Sequence, residues 1–255
     1  MKSPQISVVI NTYNAEKFLR EVLDSARDFD EIVICDMESS DQTLDIAKEY
    51  GCKIVRFEKG NHHSAEPART FAIQSASNDW VLVVDADELI PKDLRDYLYK
   101  RIQEDNCPSG IYIPRKNYFM GRFMHCHYPD YLLRFFQREG TVWPPYVHTF
   151  PTVNGRLEKI PRQYSNMAFI HLANDSIKDI LKKTNEYTEN EIEKKKDKHY
   201  AVLALLYRPF FRFFKAYILK GGIRDGKEGF IRACLEGHYQ FIMLSKIQEN
   251  KKKLG

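Results

Sequence analysis

Residues 81–90 read VLVVDADELI, and this stretch changes from apolar to acidic with no turn residue between. The apolar residues 81–84 predict a buried strand, since a strand covered on both faces shows no alternation. Asp85, Asp87 and Glu88 then follow within four positions. Asp85 and Asp87 are two residues apart, so their side chains are expected on the same side of the chain. Two carboxylates this close repel each other, and a divalent cation would remove that repulsion.

The spacing of the two aspartates favours a site for Mg²⁺ or Mn²⁺, because such ions are held by one or two carboxylates plus the phosphates of a substrate. The alternative is that both acids cap a helix beginning at Pro91. A bare Asp-x-Asp is common, and its position at the carboxyl edge of a sheet is what favours the metal interpretation.

The residues around this stretch predict an α/β fold with a mostly parallel sheet and helices on both faces. Apolar strands alternate with helices at apolar 3.6-residue spacing up to about residue 105. From about 107 shorter aromatic strands and loops indicate a mixed region added over one end of the sheet, followed by a C-terminal helical appendage. Strands are predicted at 6–10, 31–36, 52–57 and 80–87, and helices at 15–26, 39–51, 67–76 and 91–104.

Composition indicates a globular protein, with 43% hydrophobic and 29% charged residues among 255. The formal net charge is +4, and basic residues concentrate towards the C-terminal end. Five cysteines without a CxxC pair favour a reducing compartment. The first residues show no signal pattern, and no apolar run approaches the roughly 18 residues of a membrane span. A cytoplasmic location is therefore expected.

Polar side chains also follow the other predicted strands. Tyr13, after the first strand, could stack on a base, and Asp36, at the end of the second, could accept hydrogen bonds from a base or a ribose. Turn chemistry explains Asp36 equally well. Arg69 lies near a helix N-terminus, where a guanidinium could clamp a diphosphate. A surface ion pair with Glu66 or Asp79 is the alternative for Arg69.

Four motifs in order, ISVVINTYNAEKFL, IVICDMESSDQT, EPARTFAI and VLVVDADE, resemble the inverting glycosyltransferases of family 2. The resemblance is strong over residues 6–91, and it is greatest to the branch of lipopolysaccharide-core glucosyltransferase type. It continues more weakly in YLLRFF, WPPYVH and FIHLAND, and in the C-terminal YRPFFRFFKAYILKGGIRDGKEGF.

This resemblance implies a GT-A fold that binds a nucleotide-diphosphate sugar. The matching positions imply that Asn11 and Tyr13 contact the nucleoside, that Asp36 reads the base, usually uracil, and that Arg69 approaches the diphosphate. Asp85 would face the ribose or the metal, and Asp87 would bind the metal.

An inverting mechanism needs a general base that takes the proton of the acceptor hydroxyl. Asp130 is our candidate, because it precedes a strand where the family places a late acid, although a turn aspartate after Pro129 explains it equally well. His148 and His171 are candidates for completing the metal or diphosphate shell.

Two positions depart from the family pattern. The usual acid-acid-Gly after the second strand is Asp36-Met37-Glu38 here, so only the first acid is carried over. The branch often reads Val-His-Glu where this chain has Val147-His148-Thr149. A role of that glutamate in acceptor activation would have to be filled by another residue.

Two groups of histidines bear on a structural zinc site. His62-His63 and His125-Cys126-His127 both lack a second matched ligand pair at zinc spacing, which argues against zinc.

The segment 201–219 predicts an amphipathic helix. Arg208, Arg212 and Lys215 share one face, and aromatic residues occupy much of the remainder. Such a helix suits a membrane interface, and a helix packed on the catalytic domain is the alternative.

The sequence therefore predicts a metal-dependent inverting glycosyltransferase that moves a hexose from a UDP-sugar to a lipid-linked saccharide, such as a lipopolysaccharide core. It would lie on the inner face of the cytoplasmic membrane through its C-terminal helices. A sugar nucleotidyltransferase is the alternative enzyme, but NTYNAEKF lacks the expected Gly-rich loop. A non-enzymatic nucleic-acid- or membrane-binding protein is the other alternative, and the basic residues lack a stacking platform for nucleic acid. The predicted segments are 1–105 for the nucleotide sugar, 106–195 for the acceptor and 196–255 for the amphipathic helices.

Overall fold

The chain folds as an α/β protein that ends in a set of helices, as the sequence predicts. Its backbone forms two units with boundaries at Lys116, Tyr128 and Leu172. These boundaries differ from those of the three predicted segments. The division into units says nothing about which ligand each segment binds, so the functional roles of the segments stay predictions. The computed structural model describes residues 4–62, 64–146, 149–172, 176–195 and 200–254.

Unit 1 consists of the described residues up to Lys116 together with Pro129–Leu172. Its first half alternates strands with helices, because each apolar run is followed by residues at helical spacing. The first helix, for example, buries Leu19, Val22, Leu23 and Ala26 on one side. The elements are β1 (Ile6–Thr12), α1 (Glu16–Ala26), β2 (Glu31–Asp36), α2 (Thr43–Glu49), β3 (Lys53–Arg56), α3 (Glu66–Gln74), β4 (Trp80–Asp85), β5 (Glu88–Leu89) and α4 (Lys92–Arg101).

Side chains at the β2–α2 connection accept hydrogen bonds from the N-terminus of α1. The predicted helix at 39–51 begins only at Thr43. The Thr43 hydroxyl accepts a hydrogen bond from Ala15 N at 2.8 Å. Asp41 accepts another from Glu16 N at 3.1 Å. Side chains of this loop and of the first residue of α2 thus satisfy backbone N–H groups at the N-terminus of α1.

The second half of unit 1 extends the same sheet. The sheet order is β3-β2-β1-β4-β8-β6-β10-β5, with β9 beside β6. β1 to β4 pair in parallel, whereas β4–β8, β6–β8 and β5–β10 are antiparallel. The strands that follow residue 107 in unit 1 therefore extend the sheet sideways from β4. The added strands are β6 (Gly110–Phe119), which continues past Lys116, β8 (Asp130–Gln137), β9 (Leu157–Lys159) and β10 (Phe169–His171).

Helices cover both faces of the parallel half, as predicted. On one face α1, α2 and α4 pack on alternate strand residues such as Val8, Ile10 and Leu82. On the other face α3 packs on Val9 and Val83 and their neighbours. Burial on both faces explains why the strands read as continuous apolar runs.

Unit 2 consists of Asn117–Tyr128 and the described residues after Leu172. The helix that contains Pro209 packs closely on the helix that contains Gly237. A Cβ added at Gly237 would lie 3.0 Å from the Pro209 carbonyl oxygen. Within the described ranges, no helix has both the length and the apolar character needed to cross a membrane. The elements are β7 (Arg122–Phe123), which pairs with the end of β6, α5 (Ile177–Lys195), α6 (Val202–Phe214), a π-helix at Lys215–Leu219 and α7 (Gly226–Leu254).

Two histidines of the predicted groups, His125 and His127, form contacts within the protein. The fully buried Asp225 accepts hydrogen bonds from His125 N at 3.0 Å and from Cys126 N at 3.3 Å. His125 Nδ1 lies 2.6 Å from the same carboxylate. His127 Nε2 accepts a hydrogen bond from Arg232 Nε at 3.2 Å. His63 lies outside the described residues.

Candidate active site

Predicted site residues meet at the carboxyl edge of the parallel strands. In the sheet register Asn11 is opposite Asp85 on one side and Cys35 on the other, and Thr12 is opposite Asp36. The ends of β1, β2 and β4 thus bring together residues that are up to 74 positions apart. Such an edge is where open α/β sheets bind ligands.

A cavity of about 290 Å³ opens beside β1 at this edge. The side-chain amide of Asn11 is buried there, and neither its oxygen nor its nitrogen has a hydrogen-bond partner. Half of the Tyr13 side chain is exposed, and Lys59 Nζ lies 4.7 Å from its ring centroid. Because buried polar groups in folded proteins are normally paired, this amide is a candidate for a ligand contact. The lining residues are Asn11, Thr12, Tyr13, Met37, Lys59, His62, Ser64 and Ala65.

Asp36 is not among the residues that line this cavity, although its partner in the sheet register, Thr12, is one of them. It is buried, and its carboxylate accepts hydrogen bonds from Thr12 Oγ1 at 3.0 Å and from Ser39 N at 2.9 Å. The turn chemistry considered for Asp36 is therefore present. That Asp36 recognises the base of a nucleotide stays a prediction.

Asp85 is held by two arginines. Arg69 Nη2 donates to Oδ1 at 2.8 Å, and Arg134 Nη2 donates to Oδ2. Burial alone would raise the pKa of the Asp85 carboxyl, but the charges of Arg134 and Arg69 outweigh burial and hold that pKa far below its usual range. Asp85 is therefore ionised, and its charge is balanced by guanidinium groups. The predicted alternatives for Arg69, Glu66 and Asp79, are not its ion-pair partners.

Trp143 packs against both arginines. The Arg69 guanidinium carbon lies 4.6 Å from a Trp143 ring centroid, and that of Arg134 lies 5.5 Å away. The Thr70 hydroxyl donates to Trp143 O and accepts from Trp143 N, both at 2.9 Å. This pairing fixes the Trp143 backbone to α3, and cation–π contact with the indole stabilises the two positive charges.

Glu88 and Arg115 form a second charged group beside Asp85. Glu88 is fully buried in β5, where one oxygen accepts from Asp85 N at 3.0 Å and the other from Arg115 Nη1 at 2.9 Å. Arg115 also donates to Asp130, the predicted general base, at 2.7 and 3.0 Å. Burial alone would lower the pKa of Arg115, but Glu88 and Asp130 raise it above its usual value. Glu88 is thus a buried ion-pair partner of Arg115.

Asp87 and His171 are also brought together. The antiparallel pairing of β10 with β5 places His171 opposite Glu88, and His171 Nε2 lies 3.4 Å from Asp87 Oδ2. Leu172 N donates to Asp87 O at 2.7 Å and fixes this turn. Among the described residues no three His, Cys, Asp or Glu side chains are grouped closely enough to bind a metal by themselves. A carboxylate and an imidazole fit part of the coordination of a divalent ion whose remaining ligands come from a phosphate.

Sequence reasoning missed four residues of this site, namely Glu88 as an ion-pair partner, Arg115, Arg134 and Trp143. Arg134 had a readable signal, because a single arginine interrupts the apolar run YLLRFF in β8. The other three had none, since their partners are distant in the chain. The predicted His148 lies outside the described residues.

Residues 7–166, more than half of the chain, match the sequence pattern described as Glycosyl transferase family 2. An uncharacterised glycosyltransferase of Rickettsia conorii is 26% identical over 263 residues, which cover 98% of this chain and 92% of that protein.

Two further similarities cover different shares of the chain. Poly(ribitol-phosphate) beta-N-acetylglucosaminyltransferase TarS of Staphylococcus aureus is 35% identical over 99 residues, covering 35% of this chain and 17% of that protein. Among solved structures, the mannosyltransferase PcManGT of Pyrobaculum calidifontis, in complex with GDP-Man and Mn²⁺, superimposes with a TM-score of 0.56 at 14% identity. That superposition covers 98% of this chain and 89% of the other, and it shows a common fold.

Proposed function

The chain belongs to glycosyltransferase family 2, and from this premise we propose that it transfers a hexose from a UDP-sugar to a saccharide acceptor with inversion at the anomeric carbon. The observation that carries the proposal is the unpaired Asn11 amide in the cavity at the sheet edge. The cavity has a volume of about 290 Å³, which is near the lower end of the range for small-molecule sites. The family assignment favours this reaction over nucleotidyl transfer and over a non-enzymatic role.

Different residues would bind different parts of the donor. Asn11 and Tyr13 would contact the nucleoside, and Asp36 would read the base. Arg69, on α3, would approach the diphosphate. Its charge is held by Asp85 and Trp143, so it is positioned before the donor arrives, which reduces the cost of reorganisation.

Mg²⁺ or Mn²⁺ is the cofactor that we propose. Asp87 and His171 would hold it together with the diphosphate oxygens, and Asp85 would face the ribose or the metal. When bound, the ion supplies positive charge to the departing nucleoside diphosphate. The Mn²⁺ reported with the structurally similar mannosyltransferase supports this assignment.

A donor screen tests this function. Purified protein is mixed with UDP-glucose, UDP-galactose, UDP-N-acetylglucosamine or GDP-mannose, with Mn²⁺ or with EDTA, and binding is measured by calorimetry. We expect one UDP-sugar to bind in the presence of Mn²⁺. We expect Asp87→Ala to weaken that binding at least about tenfold, because it removes a charged metal ligand. Asp45→Ala, which changes an exposed aspartate of α2, is the matched control. Absence of binding by every nucleotide sugar would refute the proposal.

We further propose that the acceptor is a lipid-linked saccharide of lipopolysaccharide-core type, and that the enzyme works at the inner face of the cytoplasmic membrane. The support is a stripe of exposed apolar side chains on α6, here called the α6 stripe. Leu206 and Phe210 are 69% and 68% exposed. The opposite face of α6 packs on α7. The stripe consists of Val202, Leu203, Leu206, Tyr207, Phe210, Phe211 and Phe214.

Charge favours an anionic lipid surface as the partner of the α6 stripe. Residues 201–224 contain five basic side chains and no acidic one. A second copy of the chain would bring like charges together in a symmetric contact, whereas anionic lipid attracts them by about 1 kcal/mol for each basic residue. The apolar side chains would then lie at the level of the headgroups.

Liposome flotation tests the lipid surface. We expect the protein to float with vesicles of phosphatidylcholine and phosphatidylglycerol, and less with phosphatidylcholine alone. Leu206→Glu combined with Phe210→Glu should reduce flotation at least about tenfold, because each side chain contributes about 1.5–3 kcal/mol on burial. Val142→Glu, at an exposed apolar position of unit 1, is the control. Equal flotation of the double variant and the wild type would refute lipid contact by this stripe.

A further inference from the structure

Two buried arginines, Arg69 and Arg134, contact the same carboxylate and leave several of their nitrogen atoms without an acceptor. Each guanidinium donates to Asp85 through Nη2, and the Nε and Nη1 atoms of both arginines are buried with no hydrogen-bond partner. The ring of Trp143 lies near both guanidinium groups, and its own Nε1 is buried and unpartnered as well. A ring contact provides no acceptor, so these five nitrogen atoms have none in the part of the chain that the structure describes.

Unpartnered polar atoms of this kind are concentrated at one place. Over the described ranges, nine buried side-chain nitrogen and oxygen atoms lack a hydrogen-bond partner, and five of them belong to Arg69, Arg134 and Trp143. Two more belong to the amide of Asn11, which is opposite Asp85 in the sheet register. Buried polar groups in folded proteins are normally paired. A cluster of unpaired ones therefore indicates a place where a ligand supplies the acceptors.

The charge of Asp85 does not by itself explain Arg134. Asp85 carries one negative charge, and Arg69 already contacts it at 2.8 Å. Arg134 brings a second guanidinium to the same carboxylate, although its side chain is only 6% exposed and a buried charge is costly unless it is paired. Glu88 also acts on Arg134 electrostatically, but Glu88 is itself paired with Arg115. The group formed by Asp85 and its two arginines thus favours an anionic ligand.

The unpartnered donors indicate the chemical class of that ligand. Guanidinium and indole nitrogen atoms only donate hydrogen bonds, so the ligand must present acceptors. The planar guanidinium matches the oxygen atoms of a phosphate. A sugar hydroxyl fits less well because it is also a donor, and both oxygen atoms of Asp85 already accept from an arginine. A phosphate oxyanion is therefore the group that these side chains fit best.

The sheet places these side chains close to the proposed donor site. Asn11 lines the cavity, and Asp85 lies opposite it on the adjacent strand, at a strand spacing of about 4.8 Å. We propose that Arg134 and Trp143 join Arg69 in binding the diphosphate of the nucleotide sugar. Asp85 orients both arginines for this contact. The inference rests on the proposed function and adds two residues to its diphosphate site.

The fluorescence of Trp143 reports the contact. Because the unpartnered nitrogen atoms are buried, a diphosphate reaches them only when a neighbouring side chain moves. The Trp143 backbone is bonded to Thr70 twice at 2.9 Å, so the ring is the part that is expected to shift. The other tryptophan, Trp80, stacks on Phe135 in the core. We expect UDP to change the fluorescence of the wild type and not that of Trp143→Phe, and uridine to change neither.

The affinity for UDP relative to uridine tests the role of Arg134. UDP, or the diphosphate of the nucleotide that the donor screen selects, is titrated by calorimetry with Mn²⁺ and with EDTA, and the nucleoside is titrated by ligand-observed NMR. We expect Arg134→Gln to weaken UDP binding at least about tenfold, because hydrogen bonds to a charged group are lost. Arg134→Lys keeps a charge beside Asp85 but lacks the planar donor group, and we expect a loss of about the same size. The nucleoside has no phosphate, so its affinity should stay unchanged in both variants.

Arg101→Gln is the matched control. The Arg101 side chain is 12% exposed, and its Nη1 and Nη2 pair with Glu104 and Glu158. We expect its replacement to leave both affinities unchanged. Arg134→Lys also guards against a failure to fold in Arg134→Gln, since it retains a cation for the buried carboxylate.

The outcomes are distinct. Weaker UDP binding with unchanged nucleoside binding in both Arg134 variants supports the inference. An equal loss of both affinities, or full UDP affinity in Arg134→Lys, overturns it, because Arg134 would then only support the fold or balance Asp85. Unchanged UDP affinity in both variants also overturns it and leaves the proposed function standing. A wild-type protein that binds neither a nucleotide sugar nor a nucleoside diphosphate overturns the proposed function, and this inference with it.

Discussion

Asp130→Asn is expected to lower turnover about 1,000-fold and to leave the dissociation constant of the nucleotide sugar within about twofold of the wild-type value. The amide has nearly the same shape as the carboxylate but cannot take the acceptor proton. General base catalysis contributes between about 100-fold and 10,000-fold to enzymatic rates. Because Asp130 contacts Arg115 and lies on β8, outside the strand ends that line the cavity, the loss should appear in kcat.

Turnover is measured as UDP release, and donor affinity by calorimetry. Asp45→Asn provides the control, since Asp45 is exposed and pairs with Lys48 on the surface of α2. A rate above about one tenth of the wild-type value in Asp130→Asn would show that another group takes the proton. A large loss of donor affinity would instead place Asp130 in the donor site.

Asp85→Asn is expected to destabilise unit 1 by about 3 kcal/mol. The change leaves Arg69 and Arg134 without their shared carboxylate, and the side chains of both arginines are more than 90% buried. Removing one partner of a buried ion pair costs about 3–5 kcal/mol. For a protein of this size the unfolding midpoint should fall by about 6–12 °C. The same change should weaken donor binding, because Arg69 would lose the contact that orients it.

The effect of Asp85 on stability should depend on pH. Its pKa in the folded protein lies below the value of about 3.9 expected for an unfolded chain. A depressed pKa stabilises the folded state fully above the unfolded pKa, and this contribution is lost as the pH falls below it. The difference in unfolding midpoint between wild type and variant should therefore be constant above about pH 5 and shrink towards pH 2. Calorimetric scans at several pH values measure it.

Asp28→Asn is the control for these scans. Asp28 pairs with Arg95 at the surface, where ion pairs contribute at most about 1 kcal/mol. Its replacement should shift the midpoint by no more than about 2–4 °C. If Asp85→Asn shifted the unfolding midpoint as little as Asp28→Asn does, another negative charge would have to balance Arg69 and Arg134.

The parallel half of the sheet was predictable, because apolar runs such as ISVVI and WVLVV alternate with residues at helical spacing. The polar ends of these strands were predictable for the same reason: a side chain that follows a buried strand emerges at the sheet edge. The second half was less so. The strands after residue 107 are aromatic and partly exposed, and no periodicity shows that they pair antiparallel beside β4 and extend the sheet.

The amino-acid order was enough to identify the α/β fold, the family and the edge where Asn11 and Asp85 meet, because each depends on patterns within a few residues or on motifs in order. The partners of the charged groups came from tertiary structure alone. Asp85 contacts an arginine 49 residues away, and Asp87 meets His171 only because β10 pairs with β5. Arginines are plentiful in this chain, and sequence cannot rank them as partners. Burial selects among them, since a carboxylate removed from water must take the cation that the sheet order places beside it.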